Sequence, residues 1–171
     1  MSSHVAEIGW MSDGEFVSGR YSRRHSWSFD GGAVVHGSSS PQVVPEPMSD
    51  AAAVDPEEAL VAAVASCHML WFLSLAQAEG LDILSYSDKA EGQMGRIAPG
   101  RMAVTRIVLR PAIRFASRQP DSAELDRLHH QAHERCFIAN SLRTPIVVEA
   151  PVGDPPAAGI SGISRMPDGA S

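Results

Sequence analysis

The most constraining feature of this sequence is a long apolar stretch that begins at Asp55 and carries one cysteine near its middle. Asp55 is a favourable helix N-cap, the proline after it suits the first helical position, and the next two glutamates complement the positive start of a helix. Apolar side chains recur at three- and four-residue spacing, and the flanking positions are apolar or small. The sequence therefore predicts a helix from Asp55 to about Gly80 that is buried nearly all round. Its stripe consists of Leu60, Val64, Cys67, Trp71 and Leu75.

The composition is that of a soluble globular protein. The chain has 171 residues, of which 44% are hydrophobic and 20% charged, and its formal net charge is -6. These values fit one folded domain, and the negative charge without a long basic run disfavours nucleic-acid binding. His68 interrupts the apolar stretch, whose length is marginal for a membrane span, so we interpret it as a core helix. No secretory signal is visible, and we expect a cytoplasmic protein without a membrane partner.

The rest of the chain shows strand signals and a second helix. Asp30-Gly31-Gly32 is a strong hairpin turn, and Pro111 indicates a bulge or an edge inside a long strand. The second helix opens at Pro120-Asp121-Ser122, with Cys136 on its apolar stripe. The order of elements favours an α+β fold with a largely antiparallel sheet. Strands are predicted within residues 15–29, 33–36, 81–91, 102–115 and 144–149.

The domain organisation follows from the same patterns. Residues 1–14 are predicted to be a loose N-terminal lead-in, because they carry little apolar periodicity. Residues 15–150 form the folded domain. Residues 151–171 are rich in Gly, Pro, Ser and Ala, and we predict a disordered tail there.

Two cysteines, Cys67 and Cys136, are the only thiols of the chain. In a reducing compartment a pair of cysteines is more often catalytic or metal-binding than structural. Each lies on the apolar stripe of one of the two long predicted helices, so packing of these helices on each other could bring the thiols together. The pattern alone equally allows two unrelated core cysteines, because free cysteine is often buried.

Two further groups of residues could support chemistry. His129, His133 and Cys136 stand at i, i+4 and i+7 on one helix face, a spacing that can chelate zinc with Cys67 or His68 as a fourth ligand. Helix packing and hydrogen bonding explain the same residues better, since no known zinc signature is present.

The second group is basic. Arg23 and Arg24 stand beside His25 in the first strand region, and a nearby arginine can stabilise a thiolate and bind an oxygen substrate. The alternative is a solvated strand face, which the residues by themselves favour.

Together these stretches resemble the OsmC/Ohr family of thiol peroxidases (osmotically inducible protein C and organic hydroperoxide resistance proteins), in its OsmC-like branch. The resemblance rests on residues 21–27 with the turn at 30–32, on Asp55-Pro56-Glu57 ten residues before Cys67-His68-Met69, and on residues 133–141. It covers roughly residues 15–150. It implies antiparallel sheets packed on two central helices and an intertwined homodimer.

The resemblance also implies a function and roles for residues. It implies a hydroperoxide reductase in which Cys67 is the peroxidatic thiol and Cys136 the resolving thiol. Glu57 is then the acidic partner and Arg23 the arginine, although Arg24 beside it leaves that assignment open. The Cys67 sulfenic acid and the Cys67–Cys136 disulfide form in turn, and an external dithiol such as a lipoylated protein reduces the disulfide. No cofactor or metal is expected. Bulky organic hydroperoxides suit the apolar residues next to Cys67, namely Met69, Trp71 and Phe72.

Helix geometry adds an independent expectation. Glu57 and Cys67 are ten residues apart, which is about 15 Å along an uninterrupted helix. Glu57 therefore cannot touch the thiol of its own chain, and a site that joins them through Arg23 draws Arg23 and Glu57 from a second subunit. Two alternatives stay open: a zinc- or ligand-binding structural protein that uses His129, His133 and Cys136, and a stoichiometric redox sensor.

Overall fold

The computed structural model describes residues 2–149, and the predicted disordered tail lies outside the described residues. The strands are β1 (Ala6–Gly9), β2 (His25–Phe29), β3 (Val34–Gly37), β4 (Ile83–Asp88), β5 (Glu91–Ala98), β6 (Arg101–Leu109), β7 (Pro111–Phe115) and β8 (Ile146–Val148). The helices are α1 (Pro56–Ala78), α2 (Ser122–Arg135) and the short α3 (Phe137–Asn140), and a 3-10 turn covers Phe16–Ser18.

The predicted α+β class is confirmed. Every strand pair is antiparallel except β6 with β8, which is parallel, within the part of the chain that the structure describes. The chain divides into two compact units, Met1–Ala62 and Ala63–Ser171. The sequence gives no sign of this border, because it falls inside α1, where neither composition nor helical periodicity changes.

The first unit contains a sheet of order β1-β2-β3. The hairpin turn is confirmed: Gly32 adopts a positive φ of 84°, and the Phe29 amide donates to the Ala33 carbonyl. Two predictions about this unit were wrong. Residues 1–14 are not all loose, since they contain β1, which pairs with β2. The strand predicted over 15–29 is regular only from His25, because the 3-10 turn occupies its beginning.

The start of α1 follows the sequence prediction. The Asp55 carboxylate accepts from the Glu58 amide at 2.7 Å, and the Glu58 carboxylate accepts from the Asp55 amide at 3.1 Å. This reciprocal capping box satisfies two backbone donors that a helix start leaves without partners. It uses Glu58 and leaves its neighbour Glu57 outside the cap.

The second unit contains two sheets, of order β4-β7 and β5-β6-β8. The single long strand predicted over 102–115 is two strands in two different sheets. The break lies at Arg110, whose amide donates to the side-chain oxygen Oδ1 of Asp88 at 2.7 Å instead of to a backbone carbonyl, and Pro111 begins the next strand. Strand β5 was also missed, because its sequence has two glycines and little alternation of apolar and polar residues.

The core of the second unit lies between α1, α2 and the strand β4. It is built by buried residues of these elements and the loop after α1: Phe72, Leu75, Ala76, Leu81, Tyr86, Leu128 and Ala132. The prediction that α1 is buried nearly all round was wrong, since described residues cover only one of its faces. That face runs through Val64, His68 and Phe72, while Leu70 on the opposite side is 60% exposed.

The apolar character of α1 is sufficient for a membrane span by length and composition alone. Its mean hydropathy is 1.9 over an 18-residue window, and 28% of that window is buried in the structure. Because the buried part packs into the apolar core described above, we interpret α1 as a core helix with one open face.

Candidate active site

The structure brings the two thiols together in the second unit. Cys67 is half-buried on α1, Cys136 is fully buried, and both are free. The two thiols lie close enough for Cys67 to be one of the causes that raise the pKa of Cys136. The idea of two unrelated core cysteines therefore does not hold for this fold.

Cys136 occupies a break between two helices and not, as predicted, a continuous helical stripe. Its backbone is extended, with φ -66° and ψ 110°, and its Sγ accepts from the Ala139 amide at 3.4 Å as the N-cap of α3. Burial and then the hydrogen bond with Cys67 raise the pKa of the Cys136 thiol to about 11. At neutral pH Cys136 is thus a protonated thiol, shielded from solvent and held against its partner.

An apolar cavity of about 490 Å³ opens beside Cys67. Its wall follows the open face of α1 and continues onto α3. The lining residues are Ala63, Ser66, Cys67, Leu70, Trp71, Ser74, Phe137 and Ile138. Cys67 is the thiol on this wall, and a small apolar molecule has room to reach it.

Aromatic contacts shape the side of the cavity nearest to Cys136. The rings of Trp71 and Phe137 meet edge to face with centroids 5.6 Å apart, and the Arg135 guanidinium lies 5.9 Å from the Trp71 ring centroid. Phe137 is nevertheless 70% exposed. The residue that directly follows the buried thiol therefore belongs to the rim of the cavity.

A pair of histidines, His68 buried and His129 half-buried, joins the helix of Cys67 to the helix that precedes Cys136. His68 Nε2 lies 3.0 Å from His129 Nδ1, and the two rings stack with centroids 5.3 Å apart. Burial lowers the pKa of each to about 4, so both are neutral at physiological pH. The sequence analysis named both residues as possible zinc ligands and favoured packing and hydrogen bonding, but it did not predict that they bond to each other. Among residues 2–149, no three His, Cys, Asp or Glu side chains converge closely enough to hold a metal ion.

Arg23 lies in the first unit, on the wall of a second cavity of about 390 Å³ that Tyr21 and Pro56 also line. Its guanidinium stacks on the Tyr21 ring, with its carbon 3.8 Å from the centroid, and donates to the Tyr21 carbonyl. Arg24 is engaged differently, since its Nε pairs with Asp50 Oδ2 at 2.9 Å. Of the two arginines, Arg23 is the one that has no carboxylate partner among the described residues.

Glu57 lies in the first turn of α1 and is half-buried. Its carboxylate makes no hydrogen bond or ion pair with another residue of the described chain, so the predicted pair with Arg23 is not formed there. Of the four predicted site residues, Arg23 and Glu57 thus belong to the first unit and Cys67 and Cys136 to the second. The helix α1 is uninterrupted between Glu57 and Cys67, as the ten-residue argument requires.

Comparison with known proteins places the chain in a family. The family model described as OsmC-like protein matches residues 49–150, which is more than half of the chain. An OsmC-like protein of unknown function from Vibrio cholerae is 47% identical and superposes with a TM-score of 0.85, over 88% of this chain and 99% of that one. No curated protein sequence gives a significant match.

More distant solved structures share the fold. An organic hydroperoxide resistance protein from Elizabethkingia anophelis superposes with a TM-score of 0.66 at 15% identity, over 88% of this chain and 98% of that one. Another from Legionella pneumophila does so with a TM-score of 0.60 at 14% identity, over 88% and 96% of the two chains. The resemblance noted from the cysteine motifs is confirmed: the chain belongs to the OsmC-like protein family.

Proposed function

We propose that this protein is a two-cysteine, thiol-dependent peroxidase that reduces organic hydroperoxides to alcohols. The observation that carries the proposal is the pairing of two unlike thiols at one cavity: Cys67 lines the apolar cavity, and Cys136 is buried behind it. The fold shared with organic hydroperoxide resistance proteins supports the same class of substrate.

The reaction uses the two thiols in sequence. The Cys67 thiolate attacks one peroxide oxygen, the O–O bond breaks, and the alcohol leaves while Cys67 becomes a sulfenic acid. Cys136 then attacks the oxidised sulfur, water leaves, and a Cys67–Cys136 disulfide remains. An external dithiol, such as a lipoylated protein, returns both thiols by exchange. No cofactor or metal takes part.

Arg23 and Glu57 complete the proposed site. A cation beside Cys67 favours its thiolate, and a carboxylate holds a guanidinium firmly through a bidentate pair. Neither group has an ion-pair partner in the described chain, and the Arg23 guanidinium stacks on the Tyr21 ring. Both charges are therefore free to take part in the site. Arg24 is the weaker candidate, since it is already paired with Asp50.

A homodimer accounts for the separation of Glu57 from Cys67 along α1. In the proposed dimer, each site takes its cysteines from one subunit and its Arg23 and Glu57 from the other. The open face of α1 supports this assembly, because Ala63, Ser66 and Leu70 form a small-residue, apolar surface that a second copy can cover. Burying such a surface against another protein is favourable through the hydrophobic effect.

A coupled assay with cumene hydroperoxide and a dithiol tests the peroxidase. The wild type is expected to consume peroxide over many turnovers, whereas Cys67→Ser is expected to consume none. A Cys67→Ser variant with full activity would refute the proposal. If the peroxide reacts only once per chain even with excess dithiol, the protein is a redox sensor and not an enzyme.

Subunit complementation tests the composite site. Cys67→Ser and Arg23→Ala are each expected to be inactive, and mixing them under exchange conditions creates heterodimers with one intact site. Random exchange should restore about a quarter of wild-type activity in such a two-fold dimer. No recovery, with exchange verified by native mass spectrometry, would place Arg23 and Cys67 in the same subunit. A monomer by light scattering with full activity would exclude the dimeric site altogether.

The zinc-binding alternative makes a different prediction. It requires stoichiometric zinc by elemental analysis and loss of that zinc in His133→Ala. The convergence it needs is not found among residues 2–149, and His129 is instead bonded to His68.

A further inference from the structure

The histidine pair His68–His129 is the most unusual polar feature of the second unit that the proposed chemistry does not use. His68 is 1% exposed, and its second nitrogen, Nδ1, is buried without a hydrogen-bond partner. Burying a polar group in an apolar core without full pairing destabilises the fold, and a leucine or phenylalanine would avoid this cost. The pair therefore calls for an explanation beyond packing.

The tautomer of the pair follows from the orphaned nitrogen. One imidazole must donate and the other accept across the 3.0 Å contact. A buried N–H without a partner is rarer than a buried bare acceptor. The assignment that leaves only a lone pair on His68 Nδ1 has His68 Nε2–H donating to His129 Nδ1. The bond therefore has a defined donor, His68 Nε2, and a defined acceptor, His129 Nδ1.

The position of the pair connects it to the thiols. His68 directly follows Cys67 on α1, and His129 stands two helical turns before Cys136 at the end of α2. A second polar contact joins α2 to the residue that follows α1, since Arg127, two residues before His129, donates to both carboxylate oxygens of Glu79 at 2.7 and 2.6 Å. Among the described residues these are the two polar contacts between α2 and α1 with the residue after it, and only the histidine contact includes a chain neighbour of Cys67.

The two helices otherwise meet through apolar side chains. Phe72 packs in the core with Leu128 and Ala132, and its ring also stacks on His129 with centroids 4.4 Å apart. Hydrophobic contact is non-directional and tolerates sliding. A disulfide does not, because its two Cβ atoms must approach to about 3.5–4.5 Å. A hydrogen bond has a preferred direction and length, and the His68–His129 bond lies next to Cys67 in the chain.

We propose that the His68–His129 pair is a positioning element that holds the Cys136 thiol against Cys67 for disulfide formation. This inference rests on the proposed function. In the step concerned, Cys136–SH and Cys67–SOH form an S–S bond; the sulfenic oxygen and the thiol proton leave as part of one water molecule. The pair touches neither reactant, and its effect is on how often the two sulfurs meet.

The redox equilibrium of the two thiols measures this effect without any peroxide. The protein is equilibrated in dithiothreitol buffers, and the fraction of Cys67–Cys136 disulfide is quantified by mass spectrometry after acid quenching. His129→Phe keeps a ring beside Phe72 but removes the hydrogen bond, and His129→Asn keeps a polar atom near the Nδ1 position. Arg127→Gln is the matched control, since it breaks the other polar contact of α2, which is made to Glu79 beyond the end of α1 and away from Cys67 in the chain.

The expected result is selective. His129→Phe lowers the equilibrium constant for disulfide formation at least ~10-fold, equivalent to about 30 mV for a two-electron couple. His129→Asn and Arg127→Gln stay within about threefold of wild type. Wild-type behaviour of His129→Phe would overturn the proposal, and so would an equal loss in Arg127→Gln, because the cause would then be general helix packing.

Two further provisions cover a variant that does not fold and a wild type that has no peroxidase activity. If circular dichroism shows that His129→Phe does not fold, two variants of His68 test the same hydrogen bond from α1. His68→Leu removes the bond, and His68→Gln keeps it, because the glutamine amide reaches the Nε2 position. If the wild type consumes no peroxide, the proposed function fails, but the equilibrium measurement still tests the positioning role. A loss in His68→Leu without recovery in His68→Gln would reject the hydrogen bond as its cause.

Discussion

The two cysteines of this protein are held in opposite ways. Cys67 stands in the middle of an unbroken 23-residue helix, on a face that opens to an apolar cavity. Cys136 stands at a break between α2 and α3, fully buried, with its sulfur accepting a backbone hydrogen bond. This difference supports the proposed roles, because an accessible thiol suits attack on a peroxide and a buried thiol beside it suits attack on the oxidised sulfur of Cys67.

Replacing the buried thiol gives the largest expected effect on this comparison. Cys136→Ser should still reduce one equivalent of cumene hydroperoxide, but its Cys67 sulfenic acid should be consumed by a millimolar monothiol at least ~100-fold more slowly than Cys136 consumes it in the wild type, because an oriented intramolecular thiol has a far higher effective concentration. Stopped-flow peroxide consumption and intact mass measure the two steps. The variant is also expected to accumulate sulfinic acid at Cys67. An unchanged rate of sulfenic acid consumption would contradict the resolving role.

Alkylation of the native protein compares the thiols directly. With iodoacetamide at pH 8, Cys67 should react at least ~100-fold faster than Cys136, since a thiol with a pKa of about 11 is only about one-thousandth ionised at that pH. Peptide mass spectrometry after timed quenching gives both rates. The unfolded chain in guanidinium is the control, where the two should react alike. Equal native rates would remove the asymmetry on which the assignment of roles depends.

The buried histidines predict how stability depends on pH. Burial lowers the pKa of His68 and His129 from 6.5 to about 4, so between these values the unfolded chain binds more protons than the folded one. Their contribution is fully present above about pH 6.5 and is lost as the pH falls towards 4. The loss is at most on the order of 3 kcal/mol for each histidine.

Denaturant unfolding of wild type and His129→Phe at pH 7, 6 and 5 measures this contribution. The difference between the two proteins is the informative quantity, because carboxyl groups also titrate in the lower part of this range. Burial raises the pKa of Asp88, for example, which acts in the opposite direction. Parallel pH profiles for the two proteins would contradict the prediction.

The smallest effect concerns the start of the helix that leads to Cys136. Asp121 caps α2 by accepting from the Glu124 amide at 2.8 Å, and Asp121→Ala should lower the free energy of unfolding by about 1 kcal/mol. Because Asp121 lies fifteen residues before Cys136, the alkylation rates of the two thiols should not change. Thermal unfolding gives the first result and the alkylation assay the second. An increase in Cys136 reactivity would mean that its burial depends on the whole of α2.

Local signals in the sequence were sufficient for several elements. Asp55 caps the first long helix as predicted, Asp121 caps the second within its predicted start, and the turn at Asp30-Gly31-Gly32 joins two paired strands. These features depend on hydrogen bonds between residues close in the chain, so they can be predicted from residue type and spacing. Strand β5 and the break at Arg110 were not predictable in this way, because they depend on pairing with distant residues such as Asp88.

The candidate site likewise combines features that the sequence predicts with features that depend on distant residues. The sequence singled out both cysteines and offered their meeting as one of two readings, whereas the contact itself and the inequality of the thiols emerged from the structure. The histidine pair could have been suspected from a polar residue inside an apolar helix, but its partner could not. His129 also resembled a metal ligand, since spacing along one helix does not reveal what the neighbouring helix presents.

The helix starts, the hairpin, the α+β class and the cysteine motifs of the family are all predictable from the chain alone, because each depends on residues a few positions apart. The covered face of α1, the position of Cys136 at the end of a helix and the bond between His68 and His129 became known from the folded structure. These outcomes depend on contacts between residues as far as 61 positions apart, which neither periodicity nor propensity encodes.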